Sequence, residues 1–213
     1  MTLRARTFLL TAILTLYGCA GSRPPVTPPA AGRPAHGLKA EAVVEIKKSI
    51  MLRGKAHISA EAPGSFRIEV LGPFNATMAL IISDGKTLYV FSGTEEKEYL
   101  WNDPSFPYSF SAEDVVSSLL GGPSQNPGVI EKNDFAVSSG KDGNLTLTRM
   151  KDGKPVLTVA MSDFRMVSGA RLPFDIQIED RRGTLRIRYS SVEVDPAFSP
   201  DSFAINPLFP AVR

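Results

Sequence analysis

Residue types that commonly build reactive or cross-linked sites are scarce in this 213-residue sequence, which has one cysteine and two histidines. A single cysteine cannot form a disulfide within the chain, so a hydrophobic core has to hold the fold together. The histidines, His36 and His57, are too few for a clustered metal site, and we expect no metal and no cofactor. No serine lies in the nucleophile-elbow motif G-x-S-x-G. We therefore expect a protein that is not an enzyme.

The sequence also has no long apolar run and no strong charge of one sign. Its formal net charge is +2 at pH 7, so no basic surface argues for binding to nucleic acid. The apolar run at 8–16 is about half as long as a membrane-spanning helix, and it follows Arg4 and Arg6. A basic start followed by a short apolar run is the layout of a secretory signal peptide.

The apolar run ends at Leu16-Tyr17-Gly18-Cys19, which contains the one cysteine of the chain. This motif resembles the lipobox of bacterial lipoproteins, in which the cysteine thiol takes a diacylglycerol and the signal peptide is cut just before it. The resemblance implies that 1–18 is a lipoprotein signal peptide and that Cys19 carries acyl chains such as palmitate. The next residue is alanine, not aspartate, which by the same resemblance implies the outer membrane. The alternative is an ordinary cleavage site with an incidental cysteine.

Residues 19–37 comprise the acylated cysteine and a proline-rich linker. Its prolines prevent regular helix and favour extended polyproline geometry; they are Pro24, Pro25, Pro28, Pro29 and Pro34. At roughly 3.1 Å per residue, such a linker holds a domain up to about 50 Å from the bilayer. Residues 38–213 are then enough for a single domain.

From residue 38 the apolar residues recur with a period of two, which predicts half-buried strands. The clearest case is Phe66, Ile68 and Val70, which alternate with Arg67 and Glu69. Similar segments lie at 39–47 (whose composition also permits a helix), 51–61, 78–82, 87–92, 98–101, 135–138, 145–150, 156–161, 174–179 and 185–194. Short turns such as those at 84–85 and 152–153 separate many of them, which favours an antiparallel sheet.

One helix is predicted among these strands. Ser111 is a good N-cap, Glu113 and Asp114 suit the positive end of a helix, and the glycines and proline at 121–123 end it. A single sheet must bury its apolar face on itself or on a helix. The fold class expected is therefore mainly β, a strongly curved antiparallel sheet (an open half-barrel) with the inserted helix as a lid.

Several of these segments resemble lipoprotein-localisation proteins of the LolA and LolB type. FRIEVLGPF at 66–74, the strands at 80–91 and the helix at 111–123 are similar to consecutive parts of LolB-type outer-membrane lipoproteins. RLP at 171–173 and the strands to 196 resemble the closing hairpin shared with LolA-type carriers. The resemblance implies a half-barrel that holds the acyl chains of lipoproteins. Asn75, where a small residue is more usual, and the long linker depart from the pattern.

The predicted site is an apolar cavity wall with a loop beside it. The wall residues expected from the alternation are Phe66, Ile68, Val70, Leu80, Ile82, Leu88, Val90, Ile176 and Ile178. The alternative is a solid core, because any half-buried sheet buries such residues. On the loop, Leu71 and Phe74 match the place where LolB-type proteins expose an apolar residue that pushes lipoprotein into the membrane. The alternative for Phe74 is a side chain folded back onto the core.

The function expected is that of an outer-membrane-anchored lipoprotein that binds acyl chains, with its domain facing the periplasm. By resemblance it is a LolB-like acceptor and insertion factor, with acylated lipoproteins or lipid as partners and a periplasmic carrier as donor. The alternative is a non-catalytic scaffold lipoprotein in an envelope assembly or secretion complex.

Overall fold

A computed structural model describes residues 32–47, 51–93, 95–107, 110–122, 135–140 and 143–205. The predicted signal peptide, Cys19 and most of the linker lie outside these ranges, so their assignments stay predictions. Within the described part, no helix is both long and apolar enough to cross a membrane.

The described residues form one antiparallel sheet of eleven strands in the order β6-β5-β4-β3-β2-β1-β11-β10-β9-β8-β7. The strands are β1 (Gly37–Lys47), β2 (Met51–Glu61), β3 (Ser65–Leu71), β4 (Thr77–Asp84), β5 (Thr87–Ser92), β6 (Glu95–Leu100), β7 (Phe135–Ser139), β8 (Leu145–Lys151), β9 (Lys154–Val167), β10 (Ala170–Asp180) and β11 (Gly183–Val194). The first and last strands pair with each other in the middle of the sheet, and β6 and β7 are its two edges.

The predicted fold class is confirmed: the described residues are mainly β, and they form an open antiparallel sheet with one inserted α-helix, α1 (Ala112–Leu119). The segment at 39–47, whose composition also permits a helix, is a strand. Strand β9 runs for 14 residues, longer than the 156–161 segment expected from the sequence. Its extension past residue 161 pairs with the start of β10, so the backbone N–H and C=O groups of the extension have hydrogen-bond partners.

Helix α1 begins where the sequence predicts and packs against β2, β3 and β10. The Ser111 side chain accepts a hydrogen bond from the Asp114 backbone, and the Asp114 carboxylate accepts one from the Ser111 backbone. At the other end, Gly121 and Gly122 have φ of 107° and 78°, which favours glycine. A Cβ at Gly122 would also lie 2.7 Å from the Met161 methyl carbon, so the chain turns closely against the sheet.

The sheet has two different faces. The face that α1 covers, here the inner face, contributes alternate residues of each strand to the main core, such as Ile58, Ile68 and Ile187, at 1–2% exposure. The opposite, outer face is largely polar, apart from a small cluster of Leu80, Ile82, Tyr89 and Phe91 that Ile205 packs against. Apolar burial is therefore concentrated between the sheet and the helix.

Ionic and hydrogen-bonded side chains cover much of the outer face. Glu45 bridges Arg53 and Arg188, which lie on the two strands beside β1. The Thr77 hydroxyl donates to Glu69 at 2.6 Å, and this hydrogen bond, with the charge of Arg67, holds the pKa of Glu69 below its ordinary value of 4.5 despite partial burial. The outer face is therefore a solvated surface.

The chain enters the sheet at a hydrogen-bonded junction. Asp195, just after β11, accepts hydrogen bonds from the backbone of His36 at 2.7 Å and of Gly37 at 3.0 Å, and it pairs with Arg33. Burial alone raises the pKa of Asp195, but these bonds outweigh it and lower that pKa. The end of the sheet at which β1 starts is called the linker end below.

Candidate functional site

A cavity of about 210 Å³ lies between the inner face and α1. Its wall is formed mostly by apolar side chains from seven strands, from the helix and from the segment just before the helix. They are Ile46, Phe66, Ile68, Ile81, Leu88, Val90, Phe110, Val115, Leu157, Val159, Ile178, Leu185 and Ile187. The volume lies below the roughly 300–1,000 Å³ usual for small-molecule pockets. It exceeds the roughly 150 Å³ of an apolar cavity that accommodates benzene.

The structure places most of the predicted wall residues on the inner face. Phe66, Ile68, Leu88, Val90 and Ile178 line the cavity itself. The remaining inner-face pair, Val70 and Ile176, is fully buried in the main core without lining the cavity. The cavity and the solid core are thus neighbouring parts of one apolar layer.

Leu80 and Ile82 differ from the prediction, because they belong to the outer-face cluster and not to the cavity wall. Strand pairing places Ile81 opposite both Ile68 and Val90, so Ile81 is the residue of β4 that lines the cavity. Adjacent residues of a strand point to opposite faces, so an assignment that is wrong by one residue places Leu80 and Ile82 on the inner face instead of Ile81.

A signal for the correct face was present in the sequence. Strand β4 reads TMALIISD and is apolar on both faces, so its own alternation does not choose between them. The hairpin at Gly85 and Lys86 places Ser83 opposite Leu88, and Ile81 then falls opposite Val90. Once Leu88 and Val90 are assigned to the inner face, the turn assigns Ile81 to it as well.

The polar side chains that α1 contributes to the cavity wall are satisfied by neighbouring protein groups. Asp114, which is 4% exposed, accepts from the Ser111 backbone at 2.7 Å and from the Arg149 guanidinium at 2.8 Å. The Ser118 hydroxyl donates to the Asp114 carbonyl at 2.7 Å. Because these groups bind one another, the interior offers a ligand mainly hydrocarbon surface.

An aromatic cluster borders the cavity on the side of β6. Trp101 packs against Phe66, Phe106 and Phe110, with ring centroids 6.3, 4.9 and 6.2 Å away. Its indole N–H donates to the buried Ser83 hydroxyl at 2.9 Å. Since Phe66 and Phe110 line the cavity, the one tryptophan of the chain lies directly behind the cavity wall.

The loop after β3 presents Phe74 entirely to solvent, at 102% exposure, so the side chain is not folded back onto the core. Phe74 has φ of 60°, a left-handed conformation that turns its side chain outward on a short 3₁₀ turn. The Gly72 N–H donates to the Ala76 carbonyl at 2.8 Å and closes the loop. Leu71 is half-buried at the end of β3.

The loop and the charged rim of the cavity lie at the same end of the sheet. Strands alternate in direction, so the end of β1 at Lys47, the end of β3 and the turn between β10 and β11 are all opposite the linker end. Lys47, Asp180 and Arg182 are charged residues that line the cavity there. We call this the mouth end.

No family model matches this chain, and no curated protein matches it either. Among solved structures it is similar to a LolA superfamily protein from Nitrosomonas europaea, with 12% identity and a TM-score of 0.47 over 81% of this chain and 91% of that one. A DUF1329 family protein from Desulfovibrio piger has 14% identity and a TM-score of 0.46 over 79% and 90%. The lipoprotein LppX from Mycobacterium tuberculosis has 12% identity and a TM-score of 0.35 over 77% and 89%.

Proposed function

We propose that this chain is a non-enzymatic, lipid-anchored envelope protein that binds acyl chains in its cavity and passes acylated lipoproteins into the outer membrane. The observation that carries the proposal is the cavity wall, which is apolar on seven strands and on α1. An acyl chain offers only dispersion and hydrophobic burial, so its site needs such a wall. Each methylene group removed from water contributes about 0.8 kcal/mol.

The size of the cavity indicates how an acyl chain would bind. A volume of about 210 Å³ is smaller than a typical ligand pocket, so it accommodates a segment of a chain and leaves the rest toward the mouth. Deeper insertion requires α1 to move away from the inner face. The helix is held there by the Asp114–Arg149 ion pair and by the Tyr189 hydroxyl, which donates to the Leu119 carbonyl at 3.3 Å.

The exposure of Phe74 supports the proposed insertion of acylated lipoproteins into the membrane. A fully exposed phenylalanine on a short loop has little role in packing, and it lies at the mouth end, where a released chain would leave. By resemblance to LolB-type proteins, Phe74 enters the hydrocarbon of the membrane and lowers the barrier to insertion. Acylation of Cys19 would keep the domain at this membrane, because two or more acyl chains bind firmly. A periplasmic carrier would supply the acylated client.

The proposal is tested by native mass spectrometry of the full chain with Cys19→Ala and a synthetic lipopeptide. We expect one acylated peptide bound per chain and no binding of the same peptide without its acyl groups. Failure of the acylated peptide to bind a demonstrably folded chain would contradict acyl binding and favour a scaffold lipoprotein. A lipid-loaded chain that does not release its cargo to outer-membrane vesicles would contradict the transfer step alone.

A further inference from the structure

An apolar row crosses the inner face at the mouth end. Strand pairing places Ile46 of β1 opposite Leu52 of β2 on one side and opposite Leu185 of β11 on the other. Leu185 in turn lies opposite Ile178 of β10. These side chains, here called the apolar row, are therefore cross-strand neighbours on consecutive strands of the sheet. With about 4.8 Å between strands, the row is roughly 14 Å long.

The apolar row is less covered than the core beside it. All of its side chains are half-buried. The next inner-face residues along the same strands, Val44, Ile176 and Ile187, are at most 1% exposed. The row therefore leaves a continuous strip of hydrocarbon partly in contact with water, which is typical of a binding surface.

The apolar row also continues the wall of the cavity. Ile46, Leu185 and Ile178 line the cavity, whereas Leu52 does not. Because Leu52 lies directly opposite Ile46, it extends the apolar wall by one more strand. A ligand that leaves the cavity beside Ile46 therefore meets another apolar side chain.

The size of the cavity leaves part of a long acyl chain to be accommodated elsewhere. A cavity of roughly 150 Å³ accommodates the six carbons of benzene. On that scale, the cavity of about 210 Å³ accommodates about eight carbons of an acyl chain. The remaining carbons of a palmitoyl group need a second apolar surface that is continuous with the first.

We propose that the acyl-binding site extends from the cavity along the apolar row, so that the carbons outside the cavity lie on Ile46 and Leu52. This inference rests on the proposed function and gives it a preference for long acyl chains. Each methylene group removed from water strengthens binding roughly fourfold. A site with the row therefore distinguishes a palmitoyl group from an octanoyl group, which a site limited to the cavity does not.

Probes that differ only in chain length test the extension. Each is the same dye-labelled peptide with one linear acyl group, from hexanoyl to palmitoyl. The protein is residues 19–213 with Cys19→Ala, which lacks the predicted signal peptide, and binding is followed by fluorescence anisotropy below the micellar concentration. We expect the affinity to keep rising beyond the octanoyl peptide, by roughly tenfold or more between octanoyl and dodecanoyl.

Leu52→Asn assigns the gain to the row, because Leu52 lies outside the cavity wall. It should weaken binding of the palmitoyl peptide roughly fivefold to tenfold, with no comparable effect on the octanoyl peptide. Met51→Asn is the matched control. Met51 is the adjacent residue, is 66% exposed and points to the outer face, so its replacement should weaken neither peptide. Each variant is first shown to be folded by urea denaturation.

The outcomes separate this inference from the proposed function. An affinity that stops rising at the octanoyl peptide would overturn the extension and leave acyl binding in the cavity standing. Equal losses for short and long chains in Leu52→Asn, or an equal loss in Met51→Asn, would also overturn it. Failure of every acyl peptide to bind would contradict the proposed function itself.

Discussion

Replacing Phe74 by asparagine is expected to weaken membrane association without weakening the fold. The side chain is fully exposed and contacts no core residue that its loss would uncover. Asparagine tolerates the left-handed backbone that Phe74 adopts, with φ of 60°. The free energy of unfolding should therefore change by no more than about 0.5 kcal/mol.

The expected loss of membrane affinity follows from the apolar area of one phenylalanine side chain. Burying it in hydrocarbon contributes about 1.5–3 kcal/mol, which is roughly a tenfold to hundredfold change in the association constant. The assay is co-sedimentation of residues 19–213, with Cys19→Ala, with phospholipid vesicles, so that neither the predicted signal peptide nor a covalent anchor masks the contribution. Stability is measured in parallel by urea denaturation, followed by the fluorescence of Trp101.

Leu100 provides the matched control. It is also an exposed apolar residue, at 57%, but it ends β6 at the linker end of the sheet. Leu100→Asn should leave sedimentation unchanged. Unchanged sedimentation of Phe74→Asn, or an equal loss in Leu100→Asn, would refute the assignment of the mouth end to the membrane.

The buried ion pair, the outer-face carboxylate and the cavity wall each allow a test by single substitution. Arg149→Met should lower the free energy of unfolding by about 3 kcal/mol, because the buried Asp114 carboxylate loses its partner; a loss below about 1 kcal/mol would contradict this. Glu69→Gln should flatten the acid side of the stability curve. A carboxylate of lowered pKa stabilises the fold above its ordinary value of 4.5, and the contribution is lost as the pH falls through the folded value; parallel curves for both proteins would count against it. Ile81→Phe should reduce binding of an acylated peptide roughly tenfold by filling the cavity, whereas Ile82→Val should not change it. Equal effects of the two would show that the faces are assigned wrongly.

The strands and the helix were predictable because local signals mark them. Alternation in β3 and the capping serine of α1 each depend on neighbours in sequence, and the structure has both elements in place. Which face of β4 lines the cavity was not predictable from β4 alone, because both of its faces are apolar. One face packs in the main core and the other in the outer-face cluster. The hairpin register carried the missing information.

Other features of the site depend on contacts that sequence spacing does not encode. Arg149 lies 35 residues from Asp114, and only the folded sheet brings them together. Whether the inner face encloses a cavity depends on how closely α1 packs, and a half-buried strand has the same pattern in either case. Phe74 adopts a left-handed backbone conformation that phenylalanine rarely takes, and the sequence pattern does not predict it.

The central claim is that an acyl chain lies between the inner face and α1, and photo-crosslinking tests it most directly. A lipopeptide with a diazirine at the end of its acyl chain is irradiated with the Cys19→Ala chain, and the adducts are located by mass spectrometry. We expect them on cavity-wall residues such as Phe66, Ile68 and Ile178. Adducts confined to the outer-face cluster around Leu80, or spread evenly over the surface, would contradict the account.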